Sequence, residues 1–226
     1  MALTTVHLMR HGEVHNPEGI LYGRLPGYHL SERGHAMART VAAHFAGERV
    51  PTTPDDVEPV RHDITHVIAS PLQRAQETAT PIAEAFGLEL GTDERLIEAG
   101  NYFEGMTFGV GDGSLRHPQH WPKLWNPWRP SWGEAYKDQV ARMRAAIDDA
   151  RRLAEGHEVV LVSHQLPVWI TRSSFEGRRY LHDPRKRECS LASVTSLRFD
   201  GDRYVGLSYT EPAADLLPGA NKVAGA

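Results

Sequence analysis

The segment Glu158-Val159-Val160-Leu161-Val162-Ser163 constrains this chain more than any other. Its apolar, β-branched run leaves no position for a solvated face. Such a strand belongs inside a parallel sheet covered by helices on both sides. Thr4 to Met9 and Ile64 to Ala69 read as two further strands. Between them, Ser31-Glu32-Arg33-Gly34 opens a helix to about Ala46, with Met37, Val41 and Phe45 on one face. Ser70-Pro71 reads as a hydroxyl cap followed by proline in the first turn of a helix that Gly87 ends. Pro81 should kink or restart that helix. A short strand fits within Leu88 to Leu96, and a long helix fits from Gly133-Glu134 to near Gly156. Another helix fits around Leu166 to Phe175, then a closing hairpin around Asp200-Gly201-Asp202. The tail after Pro212 reads as loosely held. This rhythm implies an α/β fold, a three-layer sandwich of a mostly parallel sheet with helices on both faces.

The 226 residues fit a single domain, 1–226, with one irregular insertion at about 106–133. Trp121, Trp125, Trp128 and Trp132 fall there, interleaved with Pro118, Pro122, Pro127 and Pro130. The insertion reads either as a lid over a site or as a loop folded onto the core by its tryptophans.

Ligands of open α/β sheets bind beyond the carboxyl ends of the strands. Three polar groups stand at such ends: Arg10-His11-Gly12, Ser70-Pro71-Leu72-Gln73-Arg74, and His164. Two arginines and two histidines at one sheet edge suit a phosphoryl group. Arginine offers a fixed charge and a planar fork for its oxygens. A neutral imidazole is a competent nucleophile.

Arg10-His11-Gly12-Glu13, Ser70-Pro71-Leu72-Gln73-Arg74-Ala75-Gln76-Glu77-Thr78 and Val162-Ser163-His164 resemble the motifs of the histidine phosphatase (phosphoglycerate mutase-like) superfamily. Leu30-Ser31-Glu32-Arg33-Gly34 resembles its helix-opening segment, and Arg95-Leu96-Ile97-Glu98 with Glu104-Gly105 its acid-bearing loop. The resemblance spans residues 4 to 210. It implies the phosphoglycerate mutase-like fold and a phosphomonoesterase acting on a small phosphorylated metabolite without a cofactor or metal. By the same resemblance His11 is the nucleophile, and Arg10, Arg74 and His164 hold the phosphoryl oxygens. Glu98 is the general acid and then base, and Asn16 and the Gly23 region add donors. Gln165 stands where the family usually carries glycine, and its amide could reach the substrate. Burial should raise the Glu98 pKa while the arginines oppose it. An acidic optimum follows if the arginines win.

Other readings stay open. A mutase on the same scaffold must retain the bound intermediate. The family's cofactor-dependent mutases carry a longer basic insertion after the acid loop, where this chain is rich in Trp and Pro. A protein that only binds phospholigands would need no nucleophile. A metallohydrolase could use the pairs His11/His15 or His62/His66, but neither has the His-Glu-x-x-His arrangement. A net charge of −4 argues against nucleic acid as a partner. Arg178-Arg179 and Arg185-Lys186-Arg187 read as solvated charge or as a rim attracting an anionic substrate. The chain has no apolar run long enough for a membrane span, no signal-like start and one cysteine, Cys189, so a cytoplasmic enzyme is expected. The apolar C-terminal hairpin could pair two subunits into a homodimer.

Overall fold

The computed structural model describes residues 3–48, 60–107, 118–123, 132–183 and 186–220. Its centre is a six-stranded sheet. The strands are β1 (Leu3–Arg10), β2 (Ile64–Ala69), β3 (Leu90–Thr92), β4 (Glu158–Ser163), β5 (Val194–Asp200) and β6 (Arg203–Thr210). They lie in the order β3-β2-β4-β1-β5-β6. The first four are mutually parallel; β5 runs antiparallel to β1, and β6 antiparallel to β5 at the far edge. The expected α/β sandwich is therefore observed, with β4 as an inner strand.

The pleat explains why β4 is apolar throughout, because its successive side chains enter opposite cores. Val159 and Leu161 pack with α3 (Tyr136–Leu153) and α4 (Gln165–Phe175) through Met143, Ile147, Val168 and Ile170. Val160 and Val162 pack with α1 (Glu32–Ala46) and α2 (Gln73–Phe86) through Met37, Val41, Ala79 and Ile82. Ser31 caps α1 by accepting from Gly34 N at 3.0 Å, and Gly47 and Gly87 close α1 and α2 in the left-handed conformation.

Three expectations change. Helix α2 starts at Gln73 after Leu72, not at Pro71, and has no side-chain cap. The Ser70 hydroxyl lies 2.8 Å from His164 Nε2 and accepts only a long 3.4 Å bond from Leu72 N, ahead of the helix. Of the two outcomes expected at Pro81, the restart is excluded, because α2 continues through it as one helix. Finally, residues 213–220 dock on the α1/α2 core, where Ala213 is buried and Leu216, Leu217 and Ala220 pack against it. The apolar spacing of these residues supplies the cover that a polar tail would lack. Most of the expected lid at about 106–133 lies outside the described residues. Within it a 3-10 turn spans Pro118–Lys123 and exposes Trp121.

At the amino ends of the strands, His7 Nε2 and His62 Nδ1 both donate to Glu158 Oε2 at 2.7 Å. His7 Nδ1 lies 2.8 Å from Ser196 Oγ. Burial pushes the Glu158 carboxyl up, but bonds from His62 and His7 reverse this and bring it down to about 2. A depressed carboxyl stabilises the fold above its unfolded pKa and loses that effect as pH falls through the folded value. Glu158→Gln is therefore expected to destabilise the protein by about 1–3 kcal/mol at pH 7, nearer the lower end because the carboxylate is partly solvated. Urea unfolding at stepped pH should show the gap to wild type narrowing from about pH 4.5 downward. A gap independent of pH would contradict the assignment.

Candidate active site

Parallel pairing brings the three expected polar groups together. Arg10 is in register with Ser163 at the ends of β1 and β4, and Ala69 at the end of β2 is in register with Val162. His11, His164 and Ser70 each stand one residue beyond these adjacent strands. The backbone fixes them further: His11 N donates to Ser163 O at 3.1 Å, and Ser70 N to Val162 O at 2.9 Å. The His11 and His164 rings meet edge to face with centroids 5.1 Å apart. The loop after β1 folds tightly on α1, where a Cβ at Gly34 would lie 2.0 Å from the Glu13 carbonyl oxygen. Only glycine allows that approach.

Each side chain is held by one end and leaves the other unmatched. His11 Nδ1 donates to its neighbour's carbonyl, Gly12 O, at 2.8 Å. That tautomer puts the lone pair on Nε2. Arg10 Nη1 donates to Cys189 O at 2.9 Å. Arg74 Nη2 donates to Gly23 O, and its guanidinium lies 4.7 Å over the Tyr22 ring. Glu98 Oε1 accepts from Ala99 N at 2.8 Å. His164 Nε2 lies 2.8 Å from Ser70 Oγ. Among the described residues ten buried side-chain nitrogens or oxygens lack a hydrogen-bond partner, and half belong to these five residues: Arg10 Nε, His11 Nε2, Arg74 Nε, Glu98 Oε2 and His164 Nδ1. Buried polar atoms are rarely left so, and a cluster of them points to a ligand.

The electrostatics suit an anion. Burial, then Arg74 and Arg10, holds His11 well below the ordinary histidine range. Burial, then Arg74 and His11, does the same to His164. Both rings are neutral at pH 7. Burial raises Glu98, and neither the Ala99 N–H nor Arg74, Arg187 and Arg142 reverse it. In the contest expected from sequence, desolvation wins. Burial also pushes the Tyr22 hydroxyl up to about 12.

The remaining expected residues line the framework. Asn16 closes its own loop, donating from Nδ2 to Ile20 O at 2.8 Å and accepting from Ile20 N at 3.1 Å. The Gly23 carbonyl anchors Arg74. Gln165 Oε1 accepts from Arg187 Nη1 at 3.2 Å. Several supports were not singled out from sequence. Ser163 Oγ donates to Leu96 O at 2.6 Å and Arg24 Nε to Glu98 O at 2.6 Å, pinning the acid-bearing segment. Thr78 accepts from Gly12 N at 3.1 Å and donates to Arg74 O at 2.6 Å, joining two motifs. Thr78 lies inside the quoted α2 motif, whereas Arg24 carries no local signal. Of the histidine pairs considered for a metal, His62 groups instead with His7 and Glu158. In that group Glu158 opens β4, His62 precedes β2 and His7 lies within β1, whereas His11 stands beyond the carboxyl end of β1.

The family model of the histidine phosphatase superfamily (branch 1) matches residues 6–212. The uncharacterized protein Rv0525 of Mycobacterium tuberculosis is 56% identical over 211 residues, covering 93% of this chain and 98% of its own. A probable phosphoglycerate mutase, GpmB, of Enterobacter sp. is 30% identical over 84% of this chain and 83% of its own. Among solved structures, a phosphoserine phosphatase from Entamoeba histolytica superposes with a TM-score of 0.69 at 20% identity, over 93% of this chain and 99% of its own. With the motifs assembled at one sheet edge and the match running nearly end to end, the chain belongs to the histidine phosphatase superfamily, in its first branch.

Proposed function

We propose that the protein is a phosphomonoesterase that hydrolyses a small phosphorylated metabolite through a phosphohistidine on His11. The observation that carries this reading is the set of five unmatched buried atoms on Arg10, His11, Arg74, Glu98 and His164. They comprise a nucleophile, three donors and a carboxyl oxygen, the complement that phosphoryl transfer to nitrogen requires.

His11 Nε2 attacks phosphorus as the ester P–O bond breaks. The Arg10 and Arg74 guanidinia stabilise the charge on the equatorial oxygens. His164 Nδ1 joins them as a donor when Ser70 Oγ–H donates to its Nε2. Glu98, raised by burial, gives its proton to the leaving alcohol. The carboxylate then takes a proton from water as that water attacks phosphorus. The N–P bond breaks, inorganic phosphate leaves, and His11 returns to its neutral form. Asn16 and Gly23 serve by shaping the first loop.

The 30% identity to a probable phosphoglycerate mutase keeps a second reading in view, phosphoryl transfer between positions of one acid. Incubation with 3-phosphoglycerate separates the two. The expected result is inorganic phosphate release without isomerisation; isomerisation with negligible release would establish the mutase instead.

A further inference from the structure

Resting on the phosphatase reading, we propose that Arg187 anchors a second anion subsite, on the leaving-group side of Glu98. The favoured substrates then carry an oxyanion, carboxylate or second phosphate, on their alcohol portion.

Arg187 lies in the segment between α4 and β5. Its Nε donates to His182 Nε2 at 2.8 Å and its Nη1 to Gln165 Oε1 at 3.2 Å. Both partners are neutral. His182 Nδ1 donates to Tyr180 O at 2.6 Å, which leaves a lone pair on Nε2 for Arg187. Gln165 Nε2 in turn reaches Cys189 O at 3.5 Å, the carbonyl that also accepts from Arg10. Arg187 is thus tethered to the phosphoryl-binding arginine through one amide and one carbonyl.

The guanidinium has no carboxylate within ion-pair distance among the described residues. Arg142 and Arg172, also withdrawn from solvent, do: Arg142 pairs with Glu134 at 2.8 Å, and Arg172 with Glu188 at 2.6 Å and Glu176 at 3.3 Å. Arg10 and Arg74 share the lack of a carboxylate, and they are the arginines of the phosphoryl site. A desolvated cation held by neutral groups is costly unless an anion arrives to balance it. Its place relative to the chemistry starts from that tether, since Gln165 follows His164 and shares the Cys189 carbonyl with Arg10; the charges it acts on agree. Arg74 and Arg10 weigh on His11, whereas Arg74, Arg187 and Arg142 weigh on Glu98. Glu98 protonates the leaving oxygen, and Arg187 and Glu98 feel each other's charge, so the guanidinium tethered beside that site faces the alcohol. The planar fork suits a carboxylate or phosphate there better than a neutral hydroxyl.

The test compares kcat/KM for 3-phosphoglycerate, fructose 1,6-bisphosphate and glycerol 3-phosphate, which carry a carboxylate, a second phosphate and no second anion. Wild type is expected to favour one or both esters that carry a second anion over glycerol 3-phosphate by about tenfold or more, the worth of a charge-assisted hydrogen bond. The ester favoured identifies the oxyanion. Arg187→Ala should collapse that ratio, and Arg187→Lys should restore it in part; thermal unfolding of both variants checks that they fold. A loss uniform across the three esters, with a displaced pH profile, would overturn the proposal and make Arg187 a positioning residue for Glu98. Calorimetric binding of the same esters to His11→Ala, with and without Arg187→Ala, reads the preference without turnover. If nothing is hydrolysed yet binding shows the Arg187-dependent preference, the subsite stands and the phosphatase reading falls. Equal binding of all three by the two proteins would sink the subsite.

Discussion

His11→Ala is expected to reduce phosphatase turnover by about 10⁴-fold or more, with the fold retained. In the proposed mechanism His11 Nε2 makes the bond to phosphorus, and the surrounding donors cannot replace an absent nucleophile. The fold should tolerate the change, because the main-chain bonds of His11 to Ser163 and Ala192 are independent of the side chain. The ring's own hydrogen bond is to the adjacent Gly12 carbonyl. Truncation leaves a buried void beside His164, costing on the order of 1–3 kcal/mol. Steady-state hydrolysis of p-nitrophenyl phosphate, with unfolding curves for both proteins, checks both halves of the prediction. Turnover within tenfold of wild type would remove His11 from the mechanism.

Glu98→Gln should separate good from poor leaving groups. An alkyl alkoxide needs a proton as the ester bond breaks, so kcat/KM for an alkyl phosphate should fall by about 10²–10⁴-fold. p-Nitrophenolate leaves without help, so its phosphate ester should lose much less. The pH profile follows from the directions of the shifts. Burial raises Glu98, so it keeps its proton to higher pH than an ordinary carboxyl. Alkyl-ester hydrolysis should decline as pH rises through that raised value, and the decline should vanish in Glu98→Gln. Burial with Arg74 and Arg10 lowers His11, so the nucleophile stays neutral well into the acidic range. The acidic limb should accordingly lie below the ordinary histidine pKa. Equal losses of kcat/KM for both leaving groups would remove Glu98 as the acid for the leaving alcohol.

The site was legible because its residues sit at strand ends, where topology alone brings them together. Val160 and Val162 mark an inner parallel strand, and any residue after such a strand has neighbours beyond the next ones. His164, His11 and Ser70 follow from that rule without knowledge of a side chain. What stayed hidden depended on side-chain choices between distant segments. Ser70 looked like a helix cap, and its hydroxyl instead holds His164. The tail after Pro212 read as loosely held because it is terminal, yet Ala213 enters the α1/α2 core. Arg187 belonged to a basic cluster that reads equally as solvated charge. Only the fold turns it toward Gln165 and His182. Whether burial or the arginines govern Glu98 was likewise a matter of depth, which sequence spacing does not carry.

The central claim is a covalent phosphoryl on one nitrogen, and rapid acid-free quenching during turnover tests it most directly. Wild-type protein, mixed with a phosphorus-labelled ester and quenched in base, should carry one phosphoryl group on the peptide containing His11. The label should survive base, be lost in acid, and form at least as fast as turnover. Turnover that proceeds with no label on His11, or with the label on another residue, would contradict the account.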